Sequence, residues 1–147
     1  MEAMNPSKSL TAKWAMGAPY LLNALRIVAA ILFFQSGTLK LFAWPIGMPE
    51  GVPPLETWSE GWWAGVLETF GGALILIGLF TRPVAFLLSG EMAIAYFQGH
   101  FAPNLHTPQG FWPIVNQGTD AVLYCFLFLY YSAAGAGPWS IDAMRRK

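Results

Sequence analysis

Charged side chains are scarce in this chain of 147 residues: 11% are Asp, Glu, Lys or Arg, against about a quarter in typical soluble domains. Hydrophobic residues make up 55%, and the mean hydropathy is 0.45. The formal net charge is zero and the sequence lacks a basic patch, so no nucleic-acid partner is expected. This composition predicts one integral membrane domain, residues 1–147, with the lipid bilayer as its immediate surroundings.

Cysteine and histidine are equally rare, which argues against several redox and metal chemistries. Cys125 is the only cysteine, so the chain has neither a CxxC pair nor an intramolecular disulfide. His100 and His106 fall in one loop, outside the apolar stretches, and provide no facing pair for a membrane haem. Two histidines alone make a weak metal site. The sequence therefore predicts no metal centre.

Four apolar stretches dominate the rest of the chain. They cover residues 20–43, 61–80, 83–99 and 114–134, each near the ~20 residues that an α-helix needs to cross the hydrocarbon layer. Their unbroken apolar runs lack the alternation of a barrel strand. The sequence predicts an all-α fold, an integral membrane four-helix transmembrane bundle, preceded by an N-terminal segment over residues 1–19.

The distribution of Lys and Arg predicts the orientation of this bundle. Basic residues precede the first span, join the second to the third, and follow the fourth: Lys8, Lys13, Arg82, Arg145, Arg146 and Lys147. The two remaining loops carry none. Because cytoplasmic loops retain Lys and Arg, both termini and segment 1–19 should be cytoplasmic, in a multi-pass protein of the cytoplasmic (inner) membrane.

Five ionisable residues lie inside the apolar stretches: Arg26, Lys40, Glu68, Glu91 and Asp120. A charge at the bilayer centre costs several kcal/mol unless it is paired or neutralised. These side chains should therefore converge inside the bundle, where they form the candidate proton or ligand site.

Helical spacing predicts that this polar cluster has two layers. Arg26 and Lys40 share one stripe of the first span but stand about 21 Å apart, so one carboxylate cannot pair with both. Lys40 is expected with Glu68 and Asp120 near the outer surface, and Arg26 with Glu91 nearer the inner surface. Three further residues add hydrogen-bonding capacity: Asn116, Tyr124 and Gln98.

The balance of charges adds a prediction about protonation. Two cations face three carboxyls, and a nearby like charge disfavours ionisation of a carboxyl, so one carboxyl should be protonated at neutral pH. That proton is either transferable or a means of avoiding a buried charge. The alternative is that the ion pairs only lock one helix to another.

Several short motifs resemble the DoxX family of small four-span membrane proteins. They are FFQSGTLK at 33–40, ETFGGAL at 68–74, GLFTR at 78–82, FWPIVN at 111–116 and GPWSID at 137–142. The chain departs from the family at Asp120, where members usually carry Glu. The resemblance implies a four-helix bundle in the inner membrane. It also implies a link to quinone-dependent oxidation, because the family takes its name from a subunit of a thiosulfate to quinone oxidoreductase.

Two functions from different classes follow, and whether the chain is an enzyme stays open. In the first, the protein is a redox-associated membrane subunit that holds a quinone headgroup in its polar cavity and acts with a redox or sulfur-metabolism partner. In the second, it is a non-catalytic carrier, scaffold or assembly factor for a small solute or a partner protein. The spacing of Gly61 and Gly65 is weak evidence for a homo-oligomer.

Overall fold

The computed structural model describes residues 6–48, 51, 55–107 and 110–145, and these are helical or irregular, without a strand. The long elements are α1 (Pro6–Phe42), α2 (Glu60–Ile77), α3 (Thr81–Ile94) and α4 (Thr119–Ala134). A π-helix (Ala95–Phe101) and a 3₁₀ turn (Ala102–Asn104) continue α3, and the short helix α5 (Ile141–Met144) follows α4. The prediction of an all-α fold is confirmed.

Helix α2 has recognisable signals at both ends. At its start, the Ser59 hydroxyl accepts a hydrogen bond from the Trp62 backbone N–H, 3.2 Å away, which satisfies one of the orphan donors of the first turn. At its end, Gly78 adopts a left-handed conformation with φ 67°, and its N–H bonds back to Ile75. Glycine takes this conformation at little cost. The helix therefore ends at Ile77, three residues before the predicted limit of 80.

Helix α3 begins at Thr81, two residues before the predicted 83, because a distant carboxylate caps it. Asp142 accepts hydrogen bonds from the backbone N–H groups of Phe80 and Thr81, at 2.9 and 2.8 Å. The first N–H groups of a helix have no partner within it, so this contact stabilises the helix start. It also fixes α5 against the beginning of α3.

Helix α4 begins at Thr119, whereas the apolar stretch predicts a start near 114. The amide of Asn116 explains the difference: its nitrogen donates to the Gly110 carbonyl at 2.8 Å and its oxygen accepts from the Gly118 N–H at 2.9 Å. Asparagine commonly competes with helix formation through such local bonds. The segment before α4 is therefore a turn.

The described part of the N-terminal segment, residues 6–19, is helical. Helix α1 runs without interruption from Pro6 to Phe42, so residues 6–19 extend the first predicted span. Residues 1–5 of this segment, and Arg146 and Lys147 of the basic C-terminus, lie outside the described residues.

The helices pack in chain order, α1 on α2, α2 on α3 and α3 on α4. Aromatic rings join α1 to α4: the Phe33 ring lies 5.2 Å from that of Tyr124 and 4.8 Å from that of Phe128. Tyr131 of α4 also donates a hydrogen bond to the Leu22 carbonyl of α1, at 2.8 Å. These contacts close the bundle around a core that includes Ile75, Leu88 and Phe128.

Large apolar side chains cover the outward faces of the long helices. The exposed ones include Leu25, Val28 and Leu32 on α1, Phe70 and Ile77 on α2, Phe86 and Leu87 on α3, and Leu123 and Phe126 on α4. Among the described residues, one helical segment, Trp14–Phe42, is both long and apolar enough to cross a membrane, and Thr119–Ala134 is apolar but shorter. An apolar exterior of this extent indicates contact with lipid or protein.

Candidate functional site

The centre of the candidate site is an ion pair between α1 and α2. The Lys40 ammonium lies 2.5 Å from Oε1 of Glu68, whose side chain is only 2% exposed. The Lys40 side chain is 36% exposed, so the pair reaches from the interior towards the end of the bundle where α1 ends and α2 begins, called here the Lys40 end. The structure thus brings together two residues that the sequence assigns to one layer.

Glycine allows the two helices to approach closely enough for this pair. A Cβ added to Gly37 of α1 would lie 2.5 Å from the backbone nitrogen of Thr69, the residue after Glu68. Gly65 of α2 faces Leu41 and Lys40 in the same way. Gly65, one of the two glycines whose spacing is weak evidence for a homo-oligomer, therefore packs against α1 of the same chain.

Glu91 of α3 belongs to the Lys40 end as well. It lies within electrostatic range of Glu68 and Lys40. In the part of the chain that the structure describes, Oε2 of Glu68 and Oε2 of Glu91 are both enclosed without a hydrogen-bond partner. An unpaired buried polar atom costs free energy, and two such carboxyl oxygens in one region mark a site able to hold a proton or a ligand donor.

The predicted pairing of Arg26 with Glu91 is wrong. The Arg26 guanidinium is fully buried and donates to backbone carbonyls: to Ala136 at 3.0 Å, to Trp139 at 2.6 Å, and to Ile75 and Leu76. Its long side chain extends towards the opposite end of the bundle, called here the Arg26 end, where α2 ends and α5 lies. The last carbonyls of a helix lack partners within it, so they attract the cation away from the carboxylates.

The other predicted site residues divide into two groups. Asp120 is exposed, Tyr124 is half-buried, and both line the same cavity as Lys40 and Glu68. Gln98 is exposed and lines a second cavity with Glu91.

The prediction that Asn116 belongs to the polar cluster is wrong. Asn116 is buried, but its amide holds the loop before α4, as described above, and it does not line either cavity. Its i+4 spacing to Asp120 suggests a shared helical face, but Asn116 precedes the helix.

Sequence reasoning missed three polar features. Asn23 accepts a hydrogen bond from the Trp139 N–H at 3.0 Å, and Asp142 caps α3, so the motif at 137–142 serves to anchor the Arg26 end. The π-helix Ala95–Phe101 is the third. Such wide turns occur frequently at functional sites, and this one carries His100, whose Nδ1 lies 3.0 Å from the Asn116 carbonyl oxygen. Hydrophobic periodicity predicts neither hydrogen bonds between side chains and distant backbone groups nor a π-helix, so the sequence analysis could not find these features.

Two crevices meet at the Lys40 end. The α1–α4 crevice, of about 1020 Å³, has apolar walls that include Val28, Leu32 and Phe126, and it ends at Lys40, Glu68 and Asp120. The α2–α3 crevice, of about 820 Å³, has apolar walls that include Phe86 and Ile94 and reaches Glu91, Gln98 and Glu60. His100 lines both. Each crevice combines an apolar side, open to the surroundings, with a few ionisable groups at one end.

An apolar exterior together with an enclosed carboxylate, paired with Lys40, is typical of a helical membrane protein with a polar interior. The DoxX family model matches residues 21–101, over half of the chain. An uncharacterised protein of Haemophilus influenzae is 44% identical over 129 residues, which cover 84% of this chain and 90% of the relative. No solved structure matches the chain. The chain belongs to the DoxX family, and it is a membrane protein of that family.

Proposed function

We propose that this DoxX protein binds a quinone in the α1–α4 crevice and serves as a membrane subunit of a quinone-linked redox system. The shape and chemistry of the crevice carry the proposal. Its apolar walls open on the outward surface at Val28, Leu32 and Phe126, and its polar end holds Lys40 and Glu68. A quinone has the matching chemistry: a long apolar tail and a ring with two carbonyl oxygens.

The residues present suit the two needs of a quinone site. Lys40 offers N–H donors to a ring carbonyl, because its ammonium has three donors and it contacts Oε1 of Glu68. Glu68, Glu91 and Asp120 are carboxyls able to donate or accept the protons that accompany reduction or oxidation of the ring. A bound quinone would supply the electron-accepting chemistry, and a redox partner protein, such as one of sulfur metabolism, would supply or take the electrons.

The membrane arrangement proposed with this function is four crossing helices, with both termini cytoplasmic. The outward faces of all four long helices are apolar. The Arg26 end collects Arg82 and Arg145, whereas Trp44, Trp58, Trp62 and Trp63 lie around the opposite end, where α1 ends and α2 begins. Basic residues favour the cytoplasmic side and Trp favours the membrane interface, so the Lys40 end faces outward from the cell.

A second candidate is a non-catalytic carrier or scaffold, and the α2–α3 crevice favours it. That crevice is a separate apolar groove of about 820 Å³ bordered by the exposed rings of Trp63 and Phe86. A small solute or a helix of a partner protein would fit such a groove without any chemistry. On this reading the ion pair fixes the helices, and the carboxyls take no part in a reaction.

Photolabelling distinguishes the two. The protein in lipid nanodiscs is irradiated with an azido-quinone and labelled peptides are identified by mass spectrometry, for the native chain, Ser36→Trp and Ile31→Trp. Ser36 lines the α1–α4 crevice one turn from Lys40, whereas Ile31 is an exposed residue of α1 outside both crevices.

The quinone proposal expects label on α1 and α4 residues of the crevice, reduced at least tenfold by Ser36→Trp and unchanged by Ile31→Trp. Label spread evenly over the outward faces, or equal labelling in both variants, would refute quinone binding at this site. That result would favour the carrier or scaffold function.

A further inference from the structure

Glu68 and Glu91 each have one enclosed oxygen without a hydrogen-bond partner, and they face different crevices. Glu68 lines the α1–α4 crevice and Glu91 lines the α2–α3 crevice. They come from neighbouring helices, α2 and α3, and interact electrostatically. Each carboxyl therefore faces a different crevice at the end of the bundle where the two crevices meet.

The charges around this pair leave one proton to be accounted for. Lys40 is the cation paired with Glu68, and it also lies within electrostatic range of Glu91. One ammonium and two ionised carboxylates would leave an uncompensated negative charge in a low-dielectric interior, which is unfavourable. One proton bound to either carboxyl removes that charge. The protonated carboxyl also becomes a hydrogen-bond donor, whereas Oε2 of Glu68 and Oε2 of Glu91 have no partner when both carboxyls are ionised.

Other titratable groups face the pair from the surrounding elements, namely Tyr124 and Asp120 from α4 and His100 from the π-helix. Asp120 is exposed at the edge of the crevice, in the first turn of α4, whereas Glu68 and Glu91 each have an enclosed oxygen. The charge balance around the enclosed pair therefore depends on Lys40, Glu68 and Glu91.

We infer that Glu68 and Glu91 share one exchangeable proton, and that this carboxyl pair is a proton path from the α2–α3 crevice to the α1–α4 crevice. One proton leaves Glu68 for an oxygen of a ligand in the α1–α4 crevice, and one proton from the medium replaces it through Glu91, so the pair regains its charge. Gln98, Glu60 and His100 line the entrance at the Lys40 end of the α2–α3 crevice. The destination of the proton rests on the proposed quinone site, but the shared proton does not.

Infrared spectroscopy of the full chain in lipid, without added quinone, tests the sharing. The native protein should show one carboxylic acid C=O band that shifts in D₂O. Glu68→Gln and Glu91→Gln should each abolish it, because either variant leaves one carboxylate for one ammonium. Lys40→Met should about double it. Glu56→Gln, a change of an exposed loop residue, is the matched control and should leave the band unchanged.

Sharing is refuted if the band is absent from the native protein or survives in Glu68→Gln, since Glu91 would then be neutral by itself. Glu91→Gln provides the same test if Glu68→Gln does not fold. Because no quinone is present, these outcomes are independent of whether the photolabelling experiment succeeds.

The path is tested by the rate at which the band exchanges into D₂O. Gly90 lines the α2–α3 crevice, and a Cβ added there or at Gly17 of α1 would have no neighbouring atom within 4 Å. Gly90→Trp should slow exchange at least fivefold, whereas Gly17→Trp and Ser36→Trp should not. Slowing by Ser36→Trp with no effect of Gly90→Trp would place the entrance in the α1–α4 crevice and overturn the path.

Discussion

Replacing Arg26 should destabilise the fold without touching the carboxyl pair, because this residue anchors the Arg26 end. Its guanidinium donates to Ala136 and Trp139 and to two carbonyls of the last turn of α2. A hydrogen bond to a charged group contributes roughly 1.5–3 kcal/mol. The four are not additive, since they share one side chain.

We expect Arg26→Met to lower the free energy of unfolding by about 3–5 kcal/mol, because it leaves buried backbone carbonyls without a donor and each unsatisfied group costs roughly 1–3 kcal/mol. That loss corresponds to a decrease of roughly 10 °C in Tm at the 2–4 °C per kcal/mol typical of a chain of this size. Arg26→Lys should give an intermediate loss, because an ammonium has three donors and lacks the planar fork of a guanidinium. Thermal unfolding in a mild detergent, followed by circular dichroism, measures both.

Arg82→Met is the matched control. Arg82 is exposed at the same end of the bundle, so its replacement should change stability by no more than about 0.5 kcal/mol. A free energy of unfolding of Arg26→Met within about 1 kcal/mol of the native value would contradict this role of Arg26. Loss of quinone labelling in Arg26→Met at unchanged stability would contradict it as well, since Arg26 would then act on the ligand.

Three further changes test the packing around the site. Gly37→Ala should destabilise the protein by about 1–3 kcal/mol through overpacking against α2, whereas Gly17→Ala, in open space, should stabilise helix α1 by roughly 0.5–1 kcal/mol. Thermal unfolding of the two variants measures the difference. Equal effects would contradict the close approach of α1 and α2 at Gly37. Lys40→Met should cost about 1–3 kcal/mol by leaving Glu68 buried and unpaired, and the double change with Glu68→Leu should recover most of it; a double-mutant cycle with no coupling would refute the ion pair. Asp142→Ala should cost about 1 kcal/mol and speed hydrogen exchange at the first N–H groups of α3, and unchanged exchange there would contradict the cap.

Some of the site could be predicted because its residue types are costly in an apolar chain. Lys40 and Glu68 were assignable to one layer from their depth in two apolar stretches, and the structure pairs them. The pairing of Arg26 with Glu91 was predicted in the same way and is wrong, because the depth of a residue does not show in which direction its side chain extends. A long side chain can extend towards either end of a bundle. Arg26 extends towards backbone carbonyls, and the positions of such carbonyls cannot be read from the sequence.

Local hydrogen bonds explain the differences in helix boundaries. Hydropathy alone places 114–118 in the fourth span, but the Asn116 amide bonds to Gly110 and Gly118 and holds this segment as a turn. Similarly, α3 starts earlier than hydropathy indicates because Asp142, more than sixty residues away in the chain, accepts its first N–H groups. Both effects depend on side-chain geometry that a window average cannot contain.

The sequence by itself determined the membrane character, the all-helical fold and the presence of a buried polar cluster, because an apolar chain cannot leave backbone groups or charges unpaired in hydrocarbon. The tertiary structure decided which charges meet and where the cavities open. Helices α1 and α2 approach through Gly37, which brings Lys40 onto Glu68, and the packing of α2 on α3 brings Glu91 within electrostatic range of both. Such contacts depend on the rotation of each helix about its axis, which packing between helices fixes and hydropathy does not.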